Sequence, residues 1–452
     1  MAVLKSINPF NPTRIVNYPQ ATEKELASRL EKAARTFPVY RKCSFEERAG
    51  WMNRAAAILK ERKGEFSSLI TTEMGKPVGE AEAEVVKCAW VCEYYAAHAA
   101  RFLETEKIET EAGESMVLFQ PLGPILAVMP WNFPFWQVFR FSAPALMAGN
   151  TALLKHASSV QGCALAIESV FREAGFEEGV FQNLAISADR VAGVIAHDAV
   201  RAVTLTGSEA AGMAVASEAG KHLKKCVLEL GGNNAFVVLN DADMDLALQV
   251  AIPARLQNGG QSCIAAKRFI LEHGIAEKFT GELEKRIGEL KMGDPMDPAI
   301  QVGPLSSEKQ AREVEQQVKQ SLAMGAALVV GGERDGAFYR PTILRGVEPG
   351  MPVFDQEVFG PVFAITTAQS AEHALELSNL SRYGLGMQLF TQSGEQASQF
   401  IEAADEGAVF VNGMVKSDPR LPFGGVKRSG YGRELSREGI REFVNIKTVW
   451  IK

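Results

Sequence analysis

Residues 257–269 read QNGGQSCIAAKRF. A structural cysteine hides among apolar neighbours and stays inert. Cys263 instead follows Gly259, Gly260, Gln261 and Ser262, where a ligand has room to approach. Its thiolate would be a nucleophile. Other stretches carry residue types that suit such a reaction. In VLELGGNN (227–234), Glu229 ends an apolar strand just before two glycines. Desolvation there raises a carboxyl pKa and suits a general base; an ion-paired glutamate is the alternative. In MPWNFPFWQVFRF (129–141), Asn132 sits between Trp131 and Phe133, bracketed by prolines. An amide so fixed can donate to a developing oxyanion, or it can cap a helix. In VRAVTLTGSEAAG (200–212), a strand ends, Gly207 allows a turn and Ser208 opens a helix. Free N–H groups at a helix start suit phosphate. Such turns are common, and the spacing from Gly207 to Gly212 is not the dinucleotide fingerprint. EVFGPVF (357–363) and PFGGVKRSGYGRE (422–434) each join glycine, aromatic and charged residues.

The elements that must hold these stretches fall into a pattern. The first ~110 residues read as mostly helical. Ser44 and Glu47 have capping-box spacing. Cys88 and Cys92 lie four apart on one helix face, which reads as packing rather than a metal pair. From residue 122 strands and helices alternate, from GPILAVMP to KKCVLELGG. That alternation predicts a parallel, doubly wound sheet. A second α/β series starts after Gly232, and the C-terminal FVNIKTVWIK alternates like an edge strand.

The 452 residues allow two or three domains. A net charge of -6 gives no basis for nucleic-acid binding. The most apolar stretch, 122–141, is broken by three prolines and carries Asn132 and Arg140, which argues against a membrane helix. The N-terminus has no apolar signal-peptide core. Six scattered cysteines lack disulfide or zinc spacing, so a cytoplasmic enzyme with no metal is expected.

Taken together and in order, PWNFP, LELGG, GQSC, EVFGP and PFGGVKRSGYGRE resemble the aldehyde dehydrogenase superfamily over essentially the whole chain. The resemblance implies an α/β fold: two doubly wound Rossmann-like domains plus a small β oligomerisation extension. It implies a nucleotide-binding domain at 1–106 and 127–230 and a catalytic domain at 231–430. The extension would be 107–126 and 431–452, pairing subunits into a homodimer or homotetramer. It implies that Cys263 attacks the aldehyde, with Asn132 and the Cys263 N–H holding the oxyanion. Glu229 would activate the hydrolytic water, which favours release to water over transfer to coenzyme A. Glu434 matches a second acidic residue proposed to pass protons.

For the cofactor, Gly207, Ser208 and Gly212 match the pyrophosphate turn, Lys155 the lysine on the adenosine ribose, and Trp131 the same wall. Glu357 matches the carboxylate on the nicotinamide ribose, and Phe359 the aromatic that positions the ring. Where the family commonly has a glutamate for the ribose 2′-hydroxyl, this chain has Ser158. No carboxylate then repels a 2′-phosphate, so either NAD+ or NADP+ is allowed. Arg140 and Ser417 match substrate residues of the succinate-semialdehyde dehydrogenases, whose short bacterial branch the chain most resembles. A guanidinium suits a substrate carboxylate, and an ion pair within the protein is the alternative. Two positions depart from relatives: Gln257 replaces a second arginine, and Ala265 a second cysteine. Glutarate semialdehyde, an aliphatic or an aromatic aldehyde are the alternative substrates, and an inactive binding protein is the alternative role.

Overall fold

The computed structural model describes residues 2–452. It opens with an antiparallel hairpin, β1 (Val3–Ile7) and β2 (Ile15–Pro19). The helical reading of this region missed it. No residue of β2 is buried, so no apolar alternation marks it. Four helices follow: α1 (Glu23–Tyr40), α2 (Phe45–Glu61), α3 (Lys63–Met74) and α4 (Val78–Phe102). Capping boxes start both α1, with Thr22 and Glu25, and α2, with Ser44 and Glu47. Each Ser/Thr cap contributes about 1 kcal/mol by satisfying a helix-end N–H. Cys88 and Cys92 are fully buried on the packed face of α4. Two short strands come next, β3 (Glu106–Lys107) and β4 (Glu114–Pro121).

The alternating region forms a six-stranded sheet. Its chain order is β5 (Pro124–Met129), α5 (Trp136–Met147), β6 (Thr151–His156), α6 (Gln161–Glu173), β7 (Phe181–Asn183), α7 (Val191–Ala196), β8 (Ala202–Thr206), α8 (Glu209–Lys221) and β9 (Lys225–Glu229). These strands are parallel in the spatial order β9, β8, β5, β6, β7. Gly430–Tyr431 adds an antiparallel sixth strand beside β9. Every residue of β6 and β8 is buried, so neither strand shows the polar alternation of a sheet with one wet face. Strand order reverses between β5 and β8, the place where such sheets form a ligand crevice.

A second sheet has seven strands. Its core pair is β10 (Asn234–Val238) and β11 (Ala266–Glu272), with α9 (Met244–Leu256) between them. Residues 342–345, 362–368, 387–390 and 409–411 add parallel strands, and 327–330 closes one edge antiparallel. The Phe236 ring stacks with Phe269 and Phe390 at 4.8 and 4.7 Å, tying three strands together. Such pairs add about 0.5–1.5 kcal/mol beyond burial. Both sheets are doubly wound.

The C-terminal strand, Val444–Ile451, pairs antiparallel with β4 along its length, and β3 completes a three-stranded sheet. That strand lies at one edge, with Ile446 and Trp450 more than half exposed. β5 begins at Pro124 and Tyr431 pairs with β9, so the six-stranded sheet takes a few residues from each end of the segments 107–126 and 431–452. Among the described residues no helix is long and apolar enough to cross a membrane.

Candidate active site

Parallel strands end on one side of the first sheet, and the loops there carry the motifs. Trp131 and Asn132 follow β5. Lys155 lies near the end of β6, with Ser158 just beyond. Gly207 and Ser208 follow β8, and Glu229 ends β9. The helix α5 after Asn132 has no cap of its own; the Glu84 carboxylate from α4 accepts from the Phe135 and Trp136 N–H groups instead. Asn132 is therefore not the helix cap. Its side chain donates to the Gln261 carbonyl at 3.0 Å, two residues before Cys263.

The Cys263 loop is rigidly bent. Asn258, Gly259 and Gly260 all have positive φ, at 57°, 60° and 79°. A Cβ on Gly260 would lie 2.5 Å from the Gly360 carbonyl oxygen, so this glycine permits a close backbone approach. Fully buried Arg255 fixes the same contact, donating to the Val362 and Val358 carbonyls at 2.6 and 2.8 Å. The Asn258 amide donates to the Asn132 and Gln261 carbonyls, and its N–H donates to the Glu80 carboxylate at 2.6 Å. Burial pushes Glu80 up to about 7. Arg255, Asn258 and Glu80 escaped the sequence reading. Only the Asn-Gly-Gly run hinted at the bend.

Two cavities meet at Cys263. The larger, about 610 Å³, is lined by Trp131, Asn132, Gly207, Ser208, Glu357 and Phe359 as well as Cys263. Trp131 and Phe359 meet edge to face at 5.9 Å. The Glu357 carboxylate accepts from the Gly232 N–H at 3.1 Å and pairs with Lys267 at 3.3 Å. A Cβ on Gly231 would fall 2.3 Å from Glu357 Oε2, so only glycine lets that carboxylate sit there. Ser208 caps α8. Gly212 does not line this cavity. It is buried on α8, where a Cβ would meet Leu230 at 2.6 Å, so it serves helix packing. Lys155 and Ser158 also lie outside its wall. Burial pulls the Lys155 pKa down.

The smaller cavity, about 170 Å³, joins Cys263 to Arg140, Ser417, Lys87, Trp136 and Phe423. Arg140 is engaged on one edge, and its Nη1 makes no hydrogen bond among the described residues. Its Nε is ion-paired with Glu434, its Nη2 donates to Thr206 at 3.2 Å, and its guanidinium lies 4.7 Å over Phe423. The ion-pair alternative therefore holds for most of this side chain. Ser417 accepts a 2.8 Å hydrogen bond from Lys87 of α4. Lys87 also escaped the sequence reading. Its signal was a lone lysine inside the apolar helical run AEVVKCAWVC.

The titrating groups are strongly perturbed. Burial pushes the Cys263 thiol up to about 11, while the Arg140 and Lys267 charges pull it down. Glu229 is 2% exposed and lines neither cavity. Burial, with the Glu434 charge adding, holds its carboxyl well above the ordinary range. Neither Glu229 oxygen has a hydrogen-bond partner, and a Cβ on Gly424 would come within 2.8 Å of Oε1. It is thus no ion-paired glutamate.

A thiol shared by a long nucleotide-sized cavity and a small one suits transfer between two bound molecules. The sequence profile of the aldehyde dehydrogenase family matches residues 2–449. The chain belongs to this family. Among its aldehyde dehydrogenase relatives, a probable succinate-semialdehyde dehydrogenase (NADP+) of Synechocystis is 49% identical, covering 99% of each chain. The succinate semialdehyde dehydrogenase (NAD(P)+) of Escherichia coli K12 is 46% identical over 98% of this chain and 97% of that one. The crystal structure of the succinic semialdehyde dehydrogenase of Streptococcus pyogenes, in complex with NADP+, superposes with a TM-score of 0.97. It is 42% identical and covers 99% of each chain.

Proposed function

We propose that this aldehyde dehydrogenase oxidises succinate semialdehyde to succinate with NADP+ or NAD+, independently of coenzyme A. The observation that carries the reading is Cys263 on the wall common to both cavities. The curated relatives, 45–49% identical over nearly the whole chain, support the substrate.

The large cavity fits a dinucleotide. The start of α8, at Ser208 and Glu209 just after the Gly207 turn, offers N–H groups without a protein partner among the described residues to a pyrophosphate. Glu357 offers a carboxylate to ribose hydroxyls, and Trp131 and Phe359 flank the ring. Lys155 and Ser158, beyond the wall of this cavity, would meet the adenosine ribose, and Ser158 puts no carboxylate of its own against a 2′-phosphate. NADP+ or NAD+, when bound there, would supply the hydride acceptor. Everything else falls to the chain. Cys263 gives its proton to solvent water and its sulfur bonds to the aldehyde carbon as the C=O π pair moves onto oxygen. The Asn132 amide and the Cys263 N–H hold the oxyanion. When the C–H electron pair leaves as hydride, the carbonyl reforms as a thioester. Glu229 then turns from its place beside Gly424, takes a proton from water, and hydroxide displaces the thiolate. Its unbonded oxygens leave it free to turn, and its raised pKa suits a base. Glu434 holds Arg140, and its charge helps keep the Glu229 carboxyl protonated.

The distal carboxylate lies in the small cavity, at its Arg140 and Ser417 end. The C-terminal edge strand, with Ile446 and Trp450 exposed, pairs subunits into a homodimer or homotetramer. All six cysteines are free, which supports a reducing, cytoplasmic setting.

The test is the initial rate of reduced-nicotinamide formation with succinate semialdehyde beside butanal, with each cofactor. An at least tenfold preference for the acid, about 1.4 kcal/mol of transition-state discrimination, is expected. Equal rates would leave a dehydrogenase for uncharged aldehydes.

A further inference from the structure

The geometry points to Lys87 as a further cation that grips the substrate's distal carboxylate, beside Ser417 and an Arg140 whose charge is already shared with Glu434. The inference rests on the semialdehyde reading above. Its basis is which charges around the small cavity are already spoken for. Arg140 is committed to Glu434. Lys76 pairs with Glu84, Arg420 with Asp418, and Lys267 with Glu357. Lys87 lines the same cavity as Cys263 and, among the described residues, makes no ion pair within 4 Å.

The nearby carboxylates are occupied elsewhere. One Glu84 oxygen takes the Phe135 and Trp136 N–H groups and the other takes Lys76. Glu80 takes the Asn258 N–H. The Lys87 ammonium donates to Ser417 Oγ at 2.8 Å and lies 4.1 Å from the Trp136 ring centroid. An ammonium has three N–H donors, so two remain for a ligand. A half-buried cation without a counter-ion is poorly solvated, and burial, with the Arg140 charge, brings Lys87 down to about 8. An incoming carboxylate supplies the missing counter-ion. An uncharged aldehyde does not, and it leaves the ammonium desolvated. The site therefore discriminates by charge, and its location on α4 fixes how far from Cys263 the carboxylate lies.

The experiment compares kcat/KM for succinate semialdehyde and for butanal in the wild type, Lys87→Met and Lys87→Arg. The acid-to-neutral ratio is expected to fall about tenfold or more in Lys87→Met, chiefly through KM for the acid, as for loss of a buried charge-assisted pair. It stays within about threefold in Lys87→Arg, which keeps the charge. A pH series provides a second readout that does not depend on the Met variant folding. The groups acting on Lys87 are Arg140 from α5, Cys88 and Glu84 from α4, and Asp418 from the C-terminal loop, with Glu80 and Cys263 in the same cavity. Most titrate in both enzymes. The wild-type ratio is expected to drop above about pH 8 as Lys87 loses its proton, more steeply than in Lys87→Arg. An acid preference that survives in Lys87→Met, or identical pH series for wild type and Lys87→Arg, overturns the inference while the semialdehyde reading stands. A wild type without acid preference overturns both.

Discussion

The two cavities that meet at Cys263 are built differently. The large one joins backbone features (strand ends, the start of α8, and glycines where a carboxylate or a neighbouring loop comes close) to one wall of polar side chains, Gln310, Glu313, Gln317 and Gln320, from the helix Glu308–Ala323. Its parts are contiguous motifs such as PWN, TGS, LELGG and EVF. The small one is made by side chains from segments far apart in the chain, Lys87, Arg140 and Ser417, and by the way their charges are paired. Backbone geometry suits a cofactor used in every turnover. Side-chain charge suits selection among aldehydes. Chemistry and specificity are thus written in different parts of the fold.

That contrast can be broken at Cys263 itself. The thiol is pushed up to about 11, so its alkylation by iodoacetamide should quicken about tenfold per pH unit from 7 to 9. NADP+ alone and succinate alone should each slow it, one from each cavity, without protecting half-exposed Cys43 or Cys226. Peptide mapping of the alkylated thiols checks this. Protection by only one ligand would mean that the cavities do not share the thiol.

A smaller effect sharpens the comparison from the cofactor side. Gly231→Ala places a methyl group against the Glu357 carboxylate. The KM for NADP+ should rise about tenfold, the scale of a lost charge-assisted hydrogen bond, while the KM for succinate semialdehyde moves much less. Steady-state kinetics varying each substrate in turn would show it. A change in the aldehyde KM alone would contradict the division.

The same division explains what the sequence made legible. Buried parallel strands wrote themselves as apolar runs, and the loops after them held the chemistry-bearing residues in short motifs. Cys263 and Asn132 stood out because glycines or prolines bracket them, and Glu357 through the resemblance of EVFGP to the family. Gly212 packs against Leu230, and a glycine needed for packing looks the same in sequence as one needed for phosphate. β2 was invisible because it buries nothing. Arg140 was seen, but its partner Glu434 lies 294 residues on, and no local pattern reveals such a pairing. Lys87 looked like part of a packed helix. Ion pairing is a long-range property, so the substrate side had to wait for the fold.

On this mechanism Cys263 holds the acyl group as a thioester where the two cavities meet. The most direct test is to mix Glu229→Gln enzyme with succinate semialdehyde and NADP+, quench in acid, and map the modified peptides by mass spectrometry. With its base removed, hydrolysis should slow and a succinyl thioester should accumulate on Cys263, only when NADP+ is present. No adduct despite formation of reduced cofactor, or an adduct on another cysteine, would contradict the account.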